Sequence, residues 1–189
     1  MLTCAKITKN AALGSCRQGN AAVSGRVIAI NWEDWTKATI TEANSVISSI
    51  TLSGADKAYS LTSKDKGITA SYSLNQGTYG NSLVHQIVIR SFDRTQDNKA
   101  TVNKLIHGRY VFIVEHVDQE SNDTVYEVYG RQNGLTASAL TGDSSNTDGV
   151  IDELTLTSDE SARESELPTS VFDTDLDTTR TMIEALISA

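Results

Sequence analysis

The sequence predicts a mainly β fold with one flanking helix and a short C-terminal helix. Residues 125–130 (VYEVYG) alternate with a period of two, and Ile151, Leu154 and Leu156 alternate with polar residues in the same way. Asn133-Gly134 predicts a turn that tolerates positive φ, after which a new strand begins at Leu135. The chain contains a single proline, Pro168, so proline interrupts none of the predicted strands.

Short alternating segments separated by turn residues fill the first half of the chain. We expect strands over residues 26–31, 46–52, 58–61, 67–74 and 83–91. The last of these is the most apolar, which is typical of a central strand. Residues 109–117 and 125–131 face each other across the polar turn DQESNDT, and this arrangement predicts a β-hairpin.

Two segments have helical periodicity. In the first, Asp97 or Asn98 is expected to cap a helix over residues 100–106, with Gly108 just past its end. The second follows Asp177 or Thr178 as the expected cap, and its apolar positions recur at helical spacing: Met182, Ile183, Leu186 and Ile187. Such an amphipathic helix needs a groove, and the sequence leaves open whether its own subunit or a neighbour supplies it.

Length and composition predict one domain that buries part of its surface against other copies. The chain has 189 residues, of which 39% are hydrophobic and 6% aromatic. We expect a single domain over residues 1–189, with a possible N-terminal arm over residues 1–24 and an acidic C-terminal segment over residues 141–189. A sheet with this much polar surface is expected to complete its burial at subunit interfaces.

Charge is unevenly distributed along the chain. Residues 1–140 contain 14 basic and 12 acidic residues, whereas residues 141–189 contain 2 basic and 12 acidic residues. One interpretation is a solvated C-terminal face that maintains solubility. The other is a ring of copies whose carboxylates face a lumen and repel DNA during passage. The chain lacks the basic stripe that DNA binding by counterion release requires, so we expect transient passage without specific binding.

The cysteines and the N-terminal residues give little information about function. Cys4 and Cys16 do not have the spacing of metal ligands, and we favour reduced thiols over a disulfide. The first residues contain no continuous apolar stretch of the kind found in signal peptides. No apolar run approaches the roughly 18 residues that span a bilayer. We therefore expect no membrane segment and synthesis in a cytoplasm, without export by a signal of its own.

The residues that could support catalysis or metal binding are better explained by structural roles. His85, His107 and His116 are not accompanied by a nucleophile motif. Residues 143–152 (DSSNTDGVID) resemble a calcium loop, but Asp148 occupies the sixth position, where an EF-hand has glycine. Glu33-Asp34, if on a strand, point to opposite faces and cannot flank one glycosidic bond. We therefore expect no enzymatic activity, no cofactor and no metal.

The order of elements in the C-terminal half resembles a known group of proteins. An E-V-Y-G strand, an N-G-L turn, a polar loop ending in Asp148-Gly149, an E-L-T-L-T-S-D-E strand, an L-P-T segment and a C-terminal helix follow one another. This order resembles tail-tube-like and neck-ring structural proteins of tailed bacteriophages, particularly phages of Bacteroides-type hosts and crAss-like phages. Residues 25–35 (GRVIAINWEDW) and 46–52 (VISSITL) are similar to the first strands of such proteins. The resemblance implies a tail-tube-like β-sandwich or small β-barrel with a flanking helix.

The resemblance implies a virion subunit that forms a homo-oligomeric ring or tube in the tail or neck and conducts the genome. Its other partners would be tail, neck or portal proteins of the phage. The candidate lumen or subunit-interface residues are Trp32, Trp35, Asp143, Asp148, Asp152 and Glu153. Two alternatives remain: a head completion or tail terminator protein of the same particle, and a carbohydrate-binding β-sandwich adhesin. In the adhesin the stacking platforms would be Trp32, Trp35, Tyr126 and Tyr129.

Overall fold

A computed structural model describes residues 23–63, 67–77, 80–92, 95–117, 122–143, 152–161 and 163–188. Cys4, Cys16, Asp148 and Ile151 lie outside these residues, as does the predicted N-terminal arm except for its last two residues. Among the described residues, no helix is long and apolar enough to cross a membrane.

The described part of the chain is mainly β, with eleven strands, three helices and one short 3-10 turn. The strands are β1 Val23–Asn31, β2 Thr39–Ala43, β3 Val46–Thr51, β4 Tyr59–Thr62, β5 Ile68–Gly77, β6 Gly80–Ser91, β7 Arg109–His116, β8 Tyr126–Tyr129, β9 Leu135–Gly142, β10 Asp152–Ser158 and β11 Thr169–Val171. The helices are α1 Trp32–Trp35, α2 Gln96–His107 and α3 Leu176–Ser188, and the 3-10 turn is Asn122–Thr124.

The sheet divides at β7. Its strands follow the order β2-β3-β11-β8-β7-β9-β10-β6-β5, while β1 pairs with β7 and β4. Along β7, residues 112–115 pair with β8 and residues 109–110 pair with β9. The β8 branch and the β9 branch therefore leave the same strand at different points. All pairings between these strands are antiparallel except that of β11 with β3.

Two hydrophobic cores lie on opposite faces of β1 and β7. The α3 core contains Ile28, Ile30, Trp35, Ile47, Ile50, Ala58, Val111, Ile113, Val125, Tyr126, Val128, Val171, Ile183 and Leu186. The sandwich core contains Val27, Ala29, Ile68, Ile87, Leu105, Phe112, Val114, Tyr129, Leu135, Leu154 and Leu156. Successive side chains of a strand point to opposite faces, so adjacent apolar residues in β1 and β7 enter different cores.

These observations confirm the mainly β, sandwich-like fold with a flanking helix and a C-terminal helix. The five strands expected in the first half correspond to β1, β3, β4, β5 and β6, and the expected hairpin is β7–β8. Helix α3 packs on its own chain, because Ile183 and Leu186 belong to the α3 core. The groove that its apolar face needs is therefore intramolecular.

Both predicted helix caps were wrong by two or three residues. The side chain of Thr95, rather than Asp97 or Asn98, accepts a hydrogen bond from the Asn98 amide at 3.3 Å. At α3, Asp175 accepts from the Thr178 amide at 2.7 Å, in place of Asp177 or Thr178 as the cap. In each case several capping residues lie close together, and the cap is the one whose side chain accepts from the amide three residues further on.

The short helix α1 overturns the assignment of Glu33 and Asp34 to a strand. The Asn31 side-chain amide donates to Asp34 Oδ2 at 2.8 Å and holds the first helical turn. Strands β2 and β11 were also not predicted. Strand β2 is joined to β3 by Asn44 and Ser45, both with positive φ, which form a tight hairpin turn.

Two leucines that face each other across β9 and β10 test the position of the sandwich core. Leu154 is 1% exposed, whereas its partner Leu140 is 48% exposed. We expect Leu154→Ala to lower the free energy of unfolding by about 2–5 kcal/mol, because it leaves a cavity. We expect Leu140→Ala to cost less than about 1 kcal/mol. Urea denaturation of both variants measures the difference, and equal losses would contradict this placement.

Candidate functional site

The turn between β8 and β9, residues 130–134, is the point where polar side chains converge. Gly130 and Gly134 both have positive φ, of 72° and 69°. The Gly134 amide donates to the Gly130 carbonyl at 2.7 Å and closes the turn. Glycine is needed at both positions because an L side chain rarely adopts this conformation. We call these five residues the junction turn, since they connect the two branches of the sheet.

Arg131 ties the junction turn to the β8 branch. Its guanidinium makes a two-pronged contact with the carboxylate of Glu42 on β2, with Nη1 3.0 Å from Oε1 and Nη2 close to Oε2. Arg131 Nη1 also donates to the Thr169 hydroxyl on β11 at 3.2 Å. From the other side, Trp35 Nε1 donates to the Arg131 carbonyl at 3.0 Å. Paired hydrogen bonds of this kind fix orientation as well as distance.

The segment from residue 163 to residue 168, which we call the strap, lies against the other side of the junction turn. Glu164 pairs with Leu83 through two backbone hydrogen bonds of 2.7 and 3.0 Å. Its carboxylate accepts from the amides of Gln132 at 2.9 Å and Asn133 at 3.0 Å. Glu164 is 1% exposed, and this burial raises the pKa of its carboxyl while the two amide bonds act in the opposite direction.

Two further contacts hold the strap to the junction turn. The Asn133 side-chain amide donates to the Arg163 carbonyl at 3.0 Å. The Ser165 amide and hydroxyl both donate to Gln132 Oε1 at 2.9 Å. The Arg163 Nε atom, in contrast, is buried and has no hydrogen-bond partner among the described residues. Strap and turn are therefore joined mainly by hydrogen bonds that involve backbone groups.

His85 completes the polar cluster from β6. The Gly130 amide donates to His85 Nδ1 at 3.2 Å, which requires this nitrogen to be unprotonated. The proton of the neutral ring then lies on Nε2, which donates to the Glu166 carbonyl at 3.0 Å. His85 is 1% exposed, and burial lowers its pKa. Both ring nitrogens are satisfied by backbone groups, as expected for a structural histidine.

A second polar group lies on β7 and β8. Glu127 Oε2 accepts from His116 Nε2 at 2.9 Å and from the Tyr129 hydroxyl at 3.3 Å. Burial raises the pKa of the Tyr129 phenol, which keeps it protonated. The Tyr129 ring also meets the His85 ring edge-on at 5.5 Å. Glu127 therefore has two donors and is not free to act as a general base.

The described structure contains open cavities, two of which lie beside α2. One of about 560 Å³ lies between β4, the end of β6 and α2. The other, of about 420 Å³, lies between α1 and the end of α2, and its polar and aromatic lining includes Asn31, Trp32, Glu33, Asp34, His107, Arg109 and Tyr110. We call the second one the α1 pocket. Because α1 is helical, Glu33 and Asp34 line the same pocket, contrary to the strand-based expectation.

The predicted interface residues fall into two groups. Trp35 is 5% exposed in the α3 core, and Trp32 is half-buried beside it. Asp143 is exposed after β9, and Asp152 lies opposite Gly142 in β10. Glu153 pairs with Arg90 at 2.6 Å. The acidic group is thus at the far end of β9 from its contact with β7, roughly 20 Å away at about 3.3 Å per strand residue.

The junction turn and its partners were missed by sequence reasoning, except for the glycine of Asn133-Gly134. Within the described ranges, no group of three or more His, Cys, Asp or Glu side chains is arranged to hold a metal ion. Comparison of the chain with protein-family models, with curated proteins and with solved structures gives no match.

Two glycines with similar φ provide a test of the junction turn. A Cβ at Gly134 would lie 2.5 Å from Arg109 Cγ and 3.0 Å from Trp32 Cε3, whereas a Cβ at Gly54, with φ of 62°, has open space. We expect Gly54→Ala to cost about 1 kcal/mol from backbone strain alone. Gly134→Ala adds the steric clash and should cost about 3 kcal/mol. Chemical denaturation of both variants checks this order, and equal costs would argue against close packing at the turn.

Proposed function

We propose that this protein is a structural subunit of a tailed-bacteriophage virion that self-assembles into a ring or tube in the tail or neck. The assembled ring would form the conduit for genome passage. The observation that carries the proposal is an unprotected strand edge at β5. The order of elements in the sequence, described above, adds the phage context.

Strand β5 has the features of an edge that pairs with another chain. In the described structure its ten residues pair with β6 only. Its sequence, ITASYSLNQG, contains no charged residue and no proline. Monomeric proteins usually block exposed edges with charges, prolines or bulges. The absence of these devices favours pairing with a neighbouring subunit.

An exposed apolar stripe runs along the same strand. Tyr72 and Leu74 are 51% and 57% exposed, and they share a face with the buried Ile68 because they follow it at even spacing. The core-facing side of β5 thus continues beyond the sandwich core into solvent. A neighbouring subunit that covered this stripe would bury apolar surface as well as pair backbone groups.

The described strands leave three sheet edges, because β4 pairs with β1 alone and is an edge beside the main path. Along the path through the described strands, β5 is the last strand at one end and β2 the last at the other. If β5 pairs with a different strand of the next copy, the contact is heterologous, and repetition closes a ring or continues as a tube. The acidic residues Asp143, Asp152 and Glu153 would add repulsion of DNA phosphates if they face the lumen.

A second candidate function is carbohydrate binding at the α1 pocket. An aromatic ring beside carboxylates, an amide and a guanidinium suits a sugar, and Trp32, Glu33, Asp34, Asn31 and Arg109 supply these groups. The other three aromatic platforms expected for an adhesin are buried: Trp35, Tyr126 and Tyr129. A single half-buried tryptophan supports this function less well than the unprotected edge supports assembly.

Native mass spectrometry and negative-stain microscopy at low and moderate salt test the assembly. We expect rings or tubes with a central hole, held by interfaces that commonly bury more than roughly 2,000 Å² in obligate assemblies. The double variant Tyr72→Lys/Leu74→Lys should abolish them, because it places charges on the exposed stripe. Val117→Lys is the matched control, since Val117 is 52% exposed but lies outside β5.

The outcomes separate the alternatives. Single rings that never stack would favour a head completion or tail terminator protein over a tube. A chain that stays monomeric at high concentration, or assembly that survives the double lysine variant, would contradict the proposal. A monomer should then be titrated with sugars while the fluorescence of Trp32 is followed.

A further inference from the structure

The strap is attached almost entirely by hydrogen bonds. None of its described side chains belongs to either core. Ser165, Glu166 and Leu167 are exposed, with Leu167 at 56%, and only Glu164 is fully buried. Segments without buried apolar contacts open at a lower free energy than the rest of a fold. The strap can therefore detach while both cores stay intact.

The strap covers a strand edge that would otherwise be unpaired. Strand β10 pairs with β6 only as far as the pair Thr157 and Gln86. Beyond this point the backbone of Glu164 bonds with Leu83, so the strap takes the place of β10. Detachment would leave the amide and carbonyl of Leu83 without these partners.

We propose that the strap is an acid-released latch, with His85 as the group whose protonation detaches it from β6. In the closed latch, Nδ1 of His85 must accept from the Gly130 amide, 3.2 Å away. A proton on Nδ1 would place two donors against each other and would bury a positive charge. Detachment of the strap exposes the ring, where water solvates the charged form. This inference is independent of the proposed assembly.

The groups around His85 determine whether its pKa is raised or lowered in the closed latch. The titratable side chains placed near it are Tyr72, its partner on β5, and Glu127 and Tyr129 on β8, and the strap contributes the carbonyl of Glu166. Burial is the largest influence on the His85 pKa and lowers it, while the Glu166 carbonyl and the charge of Glu127 act in the opposite direction. Glu127 already accepts from His116 and Tyr129.

Lowering the pH acts on the stability of the closed latch in opposite directions through His85 and through Glu164. His85 has a lowered pKa when the latch is closed, so the closed form loses stability as the pH falls below the ordinary value of 6.5. The open population rises by at most about tenfold per pH unit, since one proton is taken up. Glu164 has a raised pKa, so it gains its proton more easily in the closed form as the pH approaches 4.5. Opening should therefore increase below pH 6.5 and then level off or reverse.

Hydrogen–deuterium exchange of the full chain between pH 7.5 and pH 4.5, corrected for intrinsic exchange rates, tests the latch. We expect protection of residues 163–168 and of Leu83 to fall below pH 6.5 by up to about tenfold per pH unit, while α3 keeps its protection. Glu164→Gln should retain the fall and lose the reversal. His85→Gln should abolish the fall below pH 6.5 and leave only the gain in protection that protonation of Glu164 produces as the pH approaches 4.5.

His107→Gln is the matched control, because His107 is an exposed histidine at the end of α2. It should respond to pH as the parent chain does. If His85→Gln fails to fold, an NMR titration of the His85 ring in the parent chain replaces it. A pKa of 6.5 or above for that ring would overturn the proposal. Strap protection that stays equal at every pH from 7.5 to 5, or a fall below pH 6.5 that persists in His85→Gln, would also overturn it.

Discussion

Strands β1 and β7 are buried on both faces, and the rest of the structure depends on this constraint. Val111 and Ile113 of β7 belong to the α3 core, whereas Phe112 and Val114 belong to the sandwich core. A strand used in this way must be apolar at consecutive positions, and its register is strongly specified because any shift would exchange the two sets of side chains. The helices, the two sheet branches and the junction turn all pack around this pair.

Sharing β7 between two branches creates a problem of backbone geometry where they separate. The junction turn solves this problem with two glycines at positive φ, with amides that donate to Glu164 and His85, and with a carbonyl that accepts from Trp35. Each such bond contributes only about 1 kcal/mol, but leaving any of these buried groups unpaired would cost about 1–3 kcal/mol. The cluster therefore specifies one arrangement of the branches more than it adds stability.

Polar groups differ in their hydrogen bonding between the interior and the periphery of the fold. Around the junction turn nearly every buried polar atom has a partner, with Arg163 Nε as the exception among the described residues. At β5, the outer backbone groups of a ten-residue strand have no partner within the described chain, and Tyr72 and Leu74 are exposed beside them. This contrast explains why we place assembly at β5 and regulation at the strap. Within the described residues the outer edge of β5 is unpaired, whereas the strap is held by the titratable side chains of His85 and Glu164.

The sequence by itself determined the β class, most strands, both longer helices and the β7–β8 hairpin, because these follow from local periodicity and turn residues. Tertiary structure decided α1 and β11, which depend on distant partners such as the Arg131 carbonyl for Trp35, 96 residues away. Strand β2 and the helix caps were missed for a different reason, because several neighbouring residues could form the same local contacts. The polar cluster could not be predicted from the sequence either, because His85 and Gly130 are 45 residues apart and His85 and Glu166 are 81 residues apart. Periodicity identifies an apolar face, but only the packed chain decides which polar side chains become buried and which carbonyl or amide meets them.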